Sequence, residues 1–221
     1  DLCEVILKKI PVEIIELYPN HFNPSKRKPY DTLKFLLDIT LSSVFLFLLT
    51  PALIIIALVI LIEDGWPVVF SQTRVGKNGK PFKLLKFRSM KQCNYNEKDP
   101  NCNIEERLLK SGRIIRKIRL DEILQFFNVL KGDMSIIGPR PEMVHYHEKA
   151  DKEIPFYQYR LSVKPGITGW AQVSYMHTTS IDEYREKTAY DFYYTKNRSF
   201  FLDLKILLKT VDTVLRMKGS R

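Results

Sequence analysis

Along most of the chain apolar and polar residues alternate in the short periods of ordinary helices and strands, but from Ile39 to Ile62 the alternation stops. These 24 residues carry no charge. As a helix, at about 1.5 Å per residue, they reach about 36 Å, enough to cross a hydrocarbon core of about 30 Å. The run exceeds a signal-peptide core and no small-residue cleavage site follows it. Its length and uniform hydropathy separate it from the buried helix of a water-soluble domain. Pro51 stands at its centre without the N–H that would bond the Phe47 carbonyl, so a kink is predicted there, with the Thr50 hydroxyl able to bond back one turn.

The remaining pattern is that of a mixed domain. Val5–Ile15 has helical spacing and Pro19–Pro29 reads as a loop. Trp66–Ser71 and Phe82–Phe87, around Gly76-Lys-Asn-Gly79, predict a β-hairpin. Cys93–Cys102 is polar and Asn-rich, a loop. Helices are predicted over Glu105–Ile118, with a break near Ser111-Gly112, over Asp121–Leu130, stopping at Lys131-Gly132, and over His145–Lys152, Asp182–Tyr194 and Phe201–Met217. Lys164–Gly169, with Pro and two Gly, reads as a turn. The last helix carries Leu204, Ile206, Leu207, Leu208, Val211 and Leu215 on a broad face. Core packing and an interfacial position on anionic lipid both account for that face. Phe156, Tyr157, Tyr159 and Trp170 fit either an interfacial belt or ordinary core.

Charge changes this picture. The chain has 221 residues, 35 Lys/Arg and 25 Asp/Glu, a formal net charge of +10. Residues 1–38 sum to zero and 39–62 are uncharged, so the surplus belongs wholly to residues 63–221. A basic domain beside a lipid segment suits anionic headgroups or phosphorylated substrates, with nucleic acid as the rival partner. Basic residues flank the apolar run on both sides, Lys26, Arg27, Lys28 and Lys34 before, Arg74, Lys77 and Lys80 after. By the positive-inside rule both ends then face the cytoplasm. A helix bent at Thr50-Pro51, entering and leaving by one leaflet, meets that condition; a simple Pro-kinked span is the alternative. Cys3, Cys93 and Cys102 form no C-x-x-C and read as reduced thiols.

The chemistry concentrates in residues 113–141. Asp121 and Glu122 stand where an apolar helix begins, behind Arg113, Arg116 and Arg119. A carboxylate near a helix N-cap is held ionised by free backbone N–H groups. Arginine forks grip phosphate oxygens, and an anionic diphosphate needs a hard cation such as Mg²⁺ between it and a carboxylate. Arg140 lies in the stiff Pro139-Arg140-Pro141 turn, where it loses less entropy on binding an anion; a solvated surface turn is the plainer reading. There is no D-x-D, no P-loop and no G-x-G-x-x-G. His145 and His147 lack a third metal ligand close in sequence.

In order along the chain stand Lys34-Phe-Leu-Leu-Asp38, Thr50-Pro51, Pro67-Val-Val-Phe70, Gln72-Thr-Arg-Val-Gly76, Gly79-Lys-Pro-Phe-Lys83 and Lys86-Phe-Arg-Ser-Met90. Leu120-Asp-Glu-Ile-Leu-Gln125, Asn128-Val-Leu-Lys-Gly-Asp-Met-Ser135 and Gly138-Pro-Arg-Pro141 follow. Lys164-Pro-Gly-Ile-Thr-Gly-Trp-Ala-Gln-Val173, Asp191-Phe-Tyr-Tyr194 and Asp203-Leu-Lys-Ile206 complete the set. From Lys34 to Lys209 this order resembles the monotopic phosphoglycosyl transferases, or bacterial sugar transferases. The resemblance implies an α+β fold, mainly helical with a small β-hairpin, plus an N-terminal re-entrant membrane helix broken at Thr50-Pro51. It divides the chain into a linker (1–33), as precedes this domain in longer members, the membrane helix (34–63) and a cytosolic catalytic domain with interfacial helices (64–221). A fragment of a longer protein is consistent with that division.

The same resemblance implies transfer of a sugar 1-phosphate from a UDP-sugar donor to a polyprenyl phosphate acceptor such as undecaprenyl phosphate. The place is the cytoplasmic face of the bacterial inner membrane, among phospholipids, in surface glycan assembly. Asp121 is implied as nucleophile and Mg²⁺ ligand, with Glu122 orienting the metal or assisting the acceptor. Arg116, Arg140 and Arg88 are implied as phosphate-binding. A homo-oligomer is compatible with it; nucleic acid is not implied. Where many members continue Asn-Gly-Arg after Gln172-Val173, this chain has Ser174-Tyr175-Met176, which leaves that Arg to be supplied elsewhere, for instance by Arg185. A membrane-tethered basic adaptor is the non-enzymatic alternative. The clustering of the acids with arginines, instead of cations spread over one face, argues against it.

Overall fold

The structure, a computed structural model, describes residues 3–17, 28–91, 107–175 and 180–215. The loop predicted at Cys93–Cys102, most of Pro19–Pro29 with Lys26 and Arg27, and Met176 lie outside these residues. The fold is mostly helical with two small sheets, as the α+β reading expects. Helix α1 (Val12–Leu17) follows a wide turn at Cys3–Leu7. Helix α2 (Tyr30–Asp64) is the apolar element. Strands β1 (Val69–Val75) and β2 (Pro81–Phe87) form the predicted hairpin, antiparallel from Val69 opposite Phe87 to Val75 opposite Pro81. Asn78 and Gly79 turn the chain at positive φ.

Helix α2 departs from expectation. Its backbone stays helical from residue 30 to 64, and Pro51 lies inside it. The predicted break at Thr50-Pro51 is therefore not an interruption. One absent N–H removes one bond from a long ladder, and the Thr50 hydroxyl donates to the Leu46 carbonyl at 2.8 Å, as anticipated. Asp38, Ser42, Leu46, Ile56 and Ile60 line the buried stripe at helical spacing. The opposite face is bare: Phe47 is 80% exposed and Ile62 85%. Ile56 and Ile60 enter a core with Val68, Phe87, Leu109, Ile115 and Leu124.

Helix α3 (Lys110–Lys117) is shorter than predicted. Ser111-Gly112 does not break it but forms its first turn, because a Cβ at Gly112 would stand 2.1 Å from the Ser89 carbonyl oxygen. Only glycine permits that approach of helix to strand end. The helix predicted over Asp121–Leu130 divides into a 3-10 turn at Leu120–Glu122 and helix α4 (Gln125–Lys131). Arg119, at φ 58°, makes the corner before it. Strand β3 (Ser135–Ile137), helix α5 (Val144–Glu153), strand β4 (Gly166–Thr168), helix α6 (Trp170–Ser174), helix α7 (Ile181–Asn197) and helix α8 (Phe200–Leu215) complete the chain.

Lys164–Gly169, predicted as a turn, contains β4, which pairs in parallel with β3. The pairing requires main chains to touch, since a Cβ on Gly166 would lie 2.0 Å from the Gly138 nitrogen. Helix α7 begins with a capping box between Ser180 and Glu183 and buries Thr188, Ala189, Asp191, Phe192, Tyr194 and Thr195. The segment before α2, expected as a linker, packs into this core: Ile10, Val12 and Ile15 meet Ala150, Ile154, Tyr157 and Phe192. Trp170 is buried and donates from Nε1 to the Lys8 carbonyl at 2.8 Å. Of the two readings of the aromatic group, core is the one observed for Tyr157 and Trp170.

Helix α8 packs through a mixed face and leaves most of its large apolar residues outside. Asp203, Ile206, Thr210 and Thr213 lie on the packed side, with Thr210 bonded to Thr168 at 2.7 Å. Phe201, Leu204, Leu208 and Val211 lie bare on the other.

Candidate active site

The centre of the site is Glu122. Its Oε1 accepts from Lys86 Nζ at 2.7 Å and from Arg140 Nη2 at 3.0 Å. Burial alone would raise the Glu122 carboxyl, but Arg140 and Lys86 hold it far below the usual carboxylate range. Glu122 also holds the Arg140 guanidinium above its ordinary value. Asp121 sits beside it in the 3-10 turn, nearly buried. It is not the N-cap of the following α-helix, because that helix starts at Gln125. Burial and the Glu122 charge push the Asp121 carboxyl up, while Lys86 and Arg116 pull it down. Among the described residues, no cation forms an ion pair with Asp121. One carboxylate is thus neutralised in place, and its neighbour is left as a more basic oxygen nucleophile or ligand.

Local structure explains the placement. The Asn128 side chain on α4 acts as a third strand for β2, accepting from Leu85 N at 3.0 Å and donating to Lys83 O at 2.7 Å. It is fully buried and ties α4 to the strand that carries Lys86. Each carbonyl of Pro139-Arg140-Pro141 is held: Pro139 O by Gly166 N at 2.9 Å, Arg140 O by Arg160 Nη2 at 2.8 Å, Pro141 O by Arg74 Nη1 at 3.2 Å. Arg160 is itself fixed by a buried ion pair to Asp191 at 2.8 Å. The turn is therefore not a solvated surface feature; its guanidinium is aimed at Glu122 by a rigid frame.

The structure thus brings together Asp121, Glu122 and Arg140, with Arg116 close enough to act on Asp121 electrostatically. Arg88 is placed differently. Its Nη2 donates to the Asp64 and Gly65 carbonyls at 2.8 and 2.7 Å and pairs with the Asp64 carboxylate at 3.2 Å, clamping the end of α2. Arg185 lies against Glu13 and the Glu153 carbonyl, both at 3.5 Å. Lys86, Arg74, Asn128 and Arg160 were not given a role in the site from the sequence. Their alternation with apolar strand or helix positions is what any surface lysine or buried amide shows, and no spacing rule marks them. Among the described residues no group of three or more His, Cys, Asp or Glu side chains converges. A cation at Asp121 would have one free carboxylate beside an engaged one. That set fits magnesium, which keeps most of its coordination for water and phosphate oxygens.

Comparison with known proteins gives the same direction. The family described as bacterial sugar transferase matches residues 29–217. The chain is 42% identical over 214 residues, 95% of its length, to a UDP-N-acetylgalactosamine-undecaprenyl-phosphate N-acetylgalactosaminephosphotransferase of Aeromonas hydrophila, of which it spans 50%. It is 44% identical to an uncharacterized sugar transferase of Bacillus subtilis, over 85% of this chain and 89% of that protein. It is 40% identical, over 79% of its length, to a UDP-glucose:undecaprenyl-phosphate glucose-1-phosphate transferase of Escherichia coli, of which it spans 38%.

Proposed function

This chain belongs to the bacterial sugar transferase family, and on that premise we propose that it transfers a sugar 1-phosphate from a UDP-sugar to a polyprenyl phosphate, the undecaprenyl carrier named for its relatives. The observation that carries the reading is the Asp121 carboxylate, which forms no ion pair among the described residues, beside Glu122, which is already neutralised by Lys86 and Arg140.

An Asp121 oxygen attacks the β-phosphorus of the donor; the bond from that phosphorus to the bridging oxygen breaks and UMP leaves with the electron pair. An oxygen of the lipid phosphate then attacks the same phosphorus, the aspartyl–phosphorus bond breaks, and the carboxylate is regenerated beneath a polyprenyl diphosphosugar. Neither step needs a proton at the reacting oxygen, so positioning and charge neutralisation are what the protein supplies. Arg140 and Arg116 face the transferred phosphate, and Glu122 holds Arg140 and Lys86 in place. Magnesium, when bound, supplies neutralisation of the diphosphate, with Asp121 as the residue that would hold it. Lys86 and Arg140 also explain why the nucleophile is Asp121: Glu122 is too engaged to attack.

The membrane placement rests on a second observation. Both ends of α2 are tied to the same folded body, Lys34 to Asp203 at 2.7 Å near the start and Asp64 to Arg88 at 3.2 Å at the finish. Between them, and along α8, apolar side chains face outward while Asp38, Ser42 and Asp203 face in. That inversion suits a lipid exterior. It supports α2 entering and leaving the cytoplasmic leaflet of the bacterial inner membrane, among its phospholipids.

Incubating the protein with UDP-sugars and undecaprenyl phosphate should release UMP, and intact-mass measurement with donor alone should show the added mass of one phosphosugar. Turnover with no such adduct, under single-turnover quenching, would replace the two-step path with direct attack by the lipid.

A further inference from the structure

Beneath the N-terminal end of α2 lies a cavity of about 330 Å³, within the size range of small-ligand sites. Its wall carries Lys34, Lys77, Lys164 and Arg198 against Asp31 and Asp38. Lys34 is paired with Asp203 at 2.7 Å, and Arg198 with Asp31 at 2.8 Å. Asp38 turns one oxygen to the Ile136 N–H at 3.0 Å. Among the described residues, no carboxylate forms an ion pair with Lys77 or Lys164. Lys164 sits half-buried over the Phe35 ring, 5.2 Å from its centroid. Burial pulls its ammonium below the usual lysine value and Lys77 adds to that, against Asp38. The exposed Lys77 and the half-buried Lys164 thus face one cavity, and like charges on its wall are an arrangement that an anion between them relieves.

The place of the cavity narrows the anion. None of Asp121, Glu122, Lys86, Arg116 or Arg140 lines it. Lys77 stands in the closed turn of the hairpin, whereas Lys86 lies near its open end. Phe35 is in the wall, and Leu33 and Leu36 beside it on α2 are exposed. A headgroup in the cavity would leave its acyl chains along the bare side of α2. We infer that this cavity binds a phosphate-bearing anion at the membrane surface, its position favouring an anionic phospholipid headgroup over a soluble phosphate. The inference goes beyond the transfer reaction and rests on the membrane placement of α2, not on the roles of Asp121 and Glu122.

Native mass spectrometry of the full chain, released from detergent with phosphatidylglycerol, phosphatidylcholine or inorganic phosphate, tests it without reference to turnover. Phosphatidylglycerol should be retained over phosphatidylcholine. The K77Q/K164Q pair should weaken that retention about twenty- to thirtyfold, each lysine contributing about fivefold. The charge-preserving K77R/K164R pair should restore it, and Asp121→Asn should leave it unchanged. Retention of inorganic phosphate in place of the lipid, lost in the same Gln pair, would support the anion site with a soluble source. Equal retention by wild type and the Gln pair, or equal loss in Asp121→Asn, would overturn it.

Discussion

At the scale of single residues, the site separates two adjacent carboxylates by environment. Glu122 pairs with two cations at 2.7 and 3.0 Å, whereas among the described residues none forms an ion pair with Asp121. Asp121→Asn is therefore expected to reduce transfer by about 10³-fold or more and to eliminate the phosphosugar adduct by intact mass, with membrane association retained. Glu122→Gln has a different signature. The folded carboxyl is held below its ordinary value of 4.5, so its stabilising contribution is complete above that pH and is lost as pH falls through the folded value. The variant should be less stable than wild type at neutral pH, and the gap in thermal midpoint should narrow as pH is taken below 4.5. A gap that stays constant with pH would show that the charge on Glu122 does not contribute to stability. That Asp121, Glu122 and Arg140 gather in one place was legible because acids among arginines beside a Pro-Arg-Pro turn are uncommon. Lys86 and Arg160 were not legible: their partners are 36 and 31 residues away in the chain.

At the scale of elements, contacts between main chains decide the boundaries. Gly112 lets α3 rest on the Ser89 carbonyl, where a methyl group would stand at 2.1 Å. Gly112→Ala should displace α3, and with it the turn that carries Asp121, with a stability loss of about 1–3 kcal/mol measured by chemical denaturation in detergent. Gly112 was read as a break because glycine propensity disfavours a helix interior; tight packing overrode propensity. The parallel pair β3–β4 was missed for a similar reason, since two three-residue strands separated by 28 intervening residues leave no periodic signal. Helix α8 has a packed side around Ile206 and a bare apolar side that includes Phe201, 80% exposed. Replacing Phe201 and Leu208 by Glu should lower partition into phosphatidylglycerol vesicles in a flotation assay without lowering helix content. Unchanged flotation would confine membrane contact to α2.

For the whole molecule, the consequential geometry is that one body holds both ends of a helix long enough to cross a bilayer. Tyr30, Asp31 and Lys34 reach Asp203 and Arg198, while Glu63 caps the start of α3 at Lys110 N and Asp64 meets Arg88. Cysteine labelling in intact spheroplasts should then find residues before Tyr30 and after Asp64 shielded from an impermeant reagent. Labelling at either end would instead establish a crossing helix. The N-terminal segment belongs to the same body, since Lys9 pairs with Glu186 and Ile10 N donates to Ala189 O at 2.9 Å.

The order of residues was sufficient for the apolar run, the hairpin, most of the helices and the adjacent acids among arginines, because each depends on local periodicity or on a compact chemical cluster. It could not reveal how α2 continues through Pro51, which half of α8 is bare, that Arg88 is engaged at the end of α2, or that four cations gather around a cavity at its beginning. Those outcomes depend on contacts between segments far apart in the chain, and the energies that choose among them arise only when the segments meet.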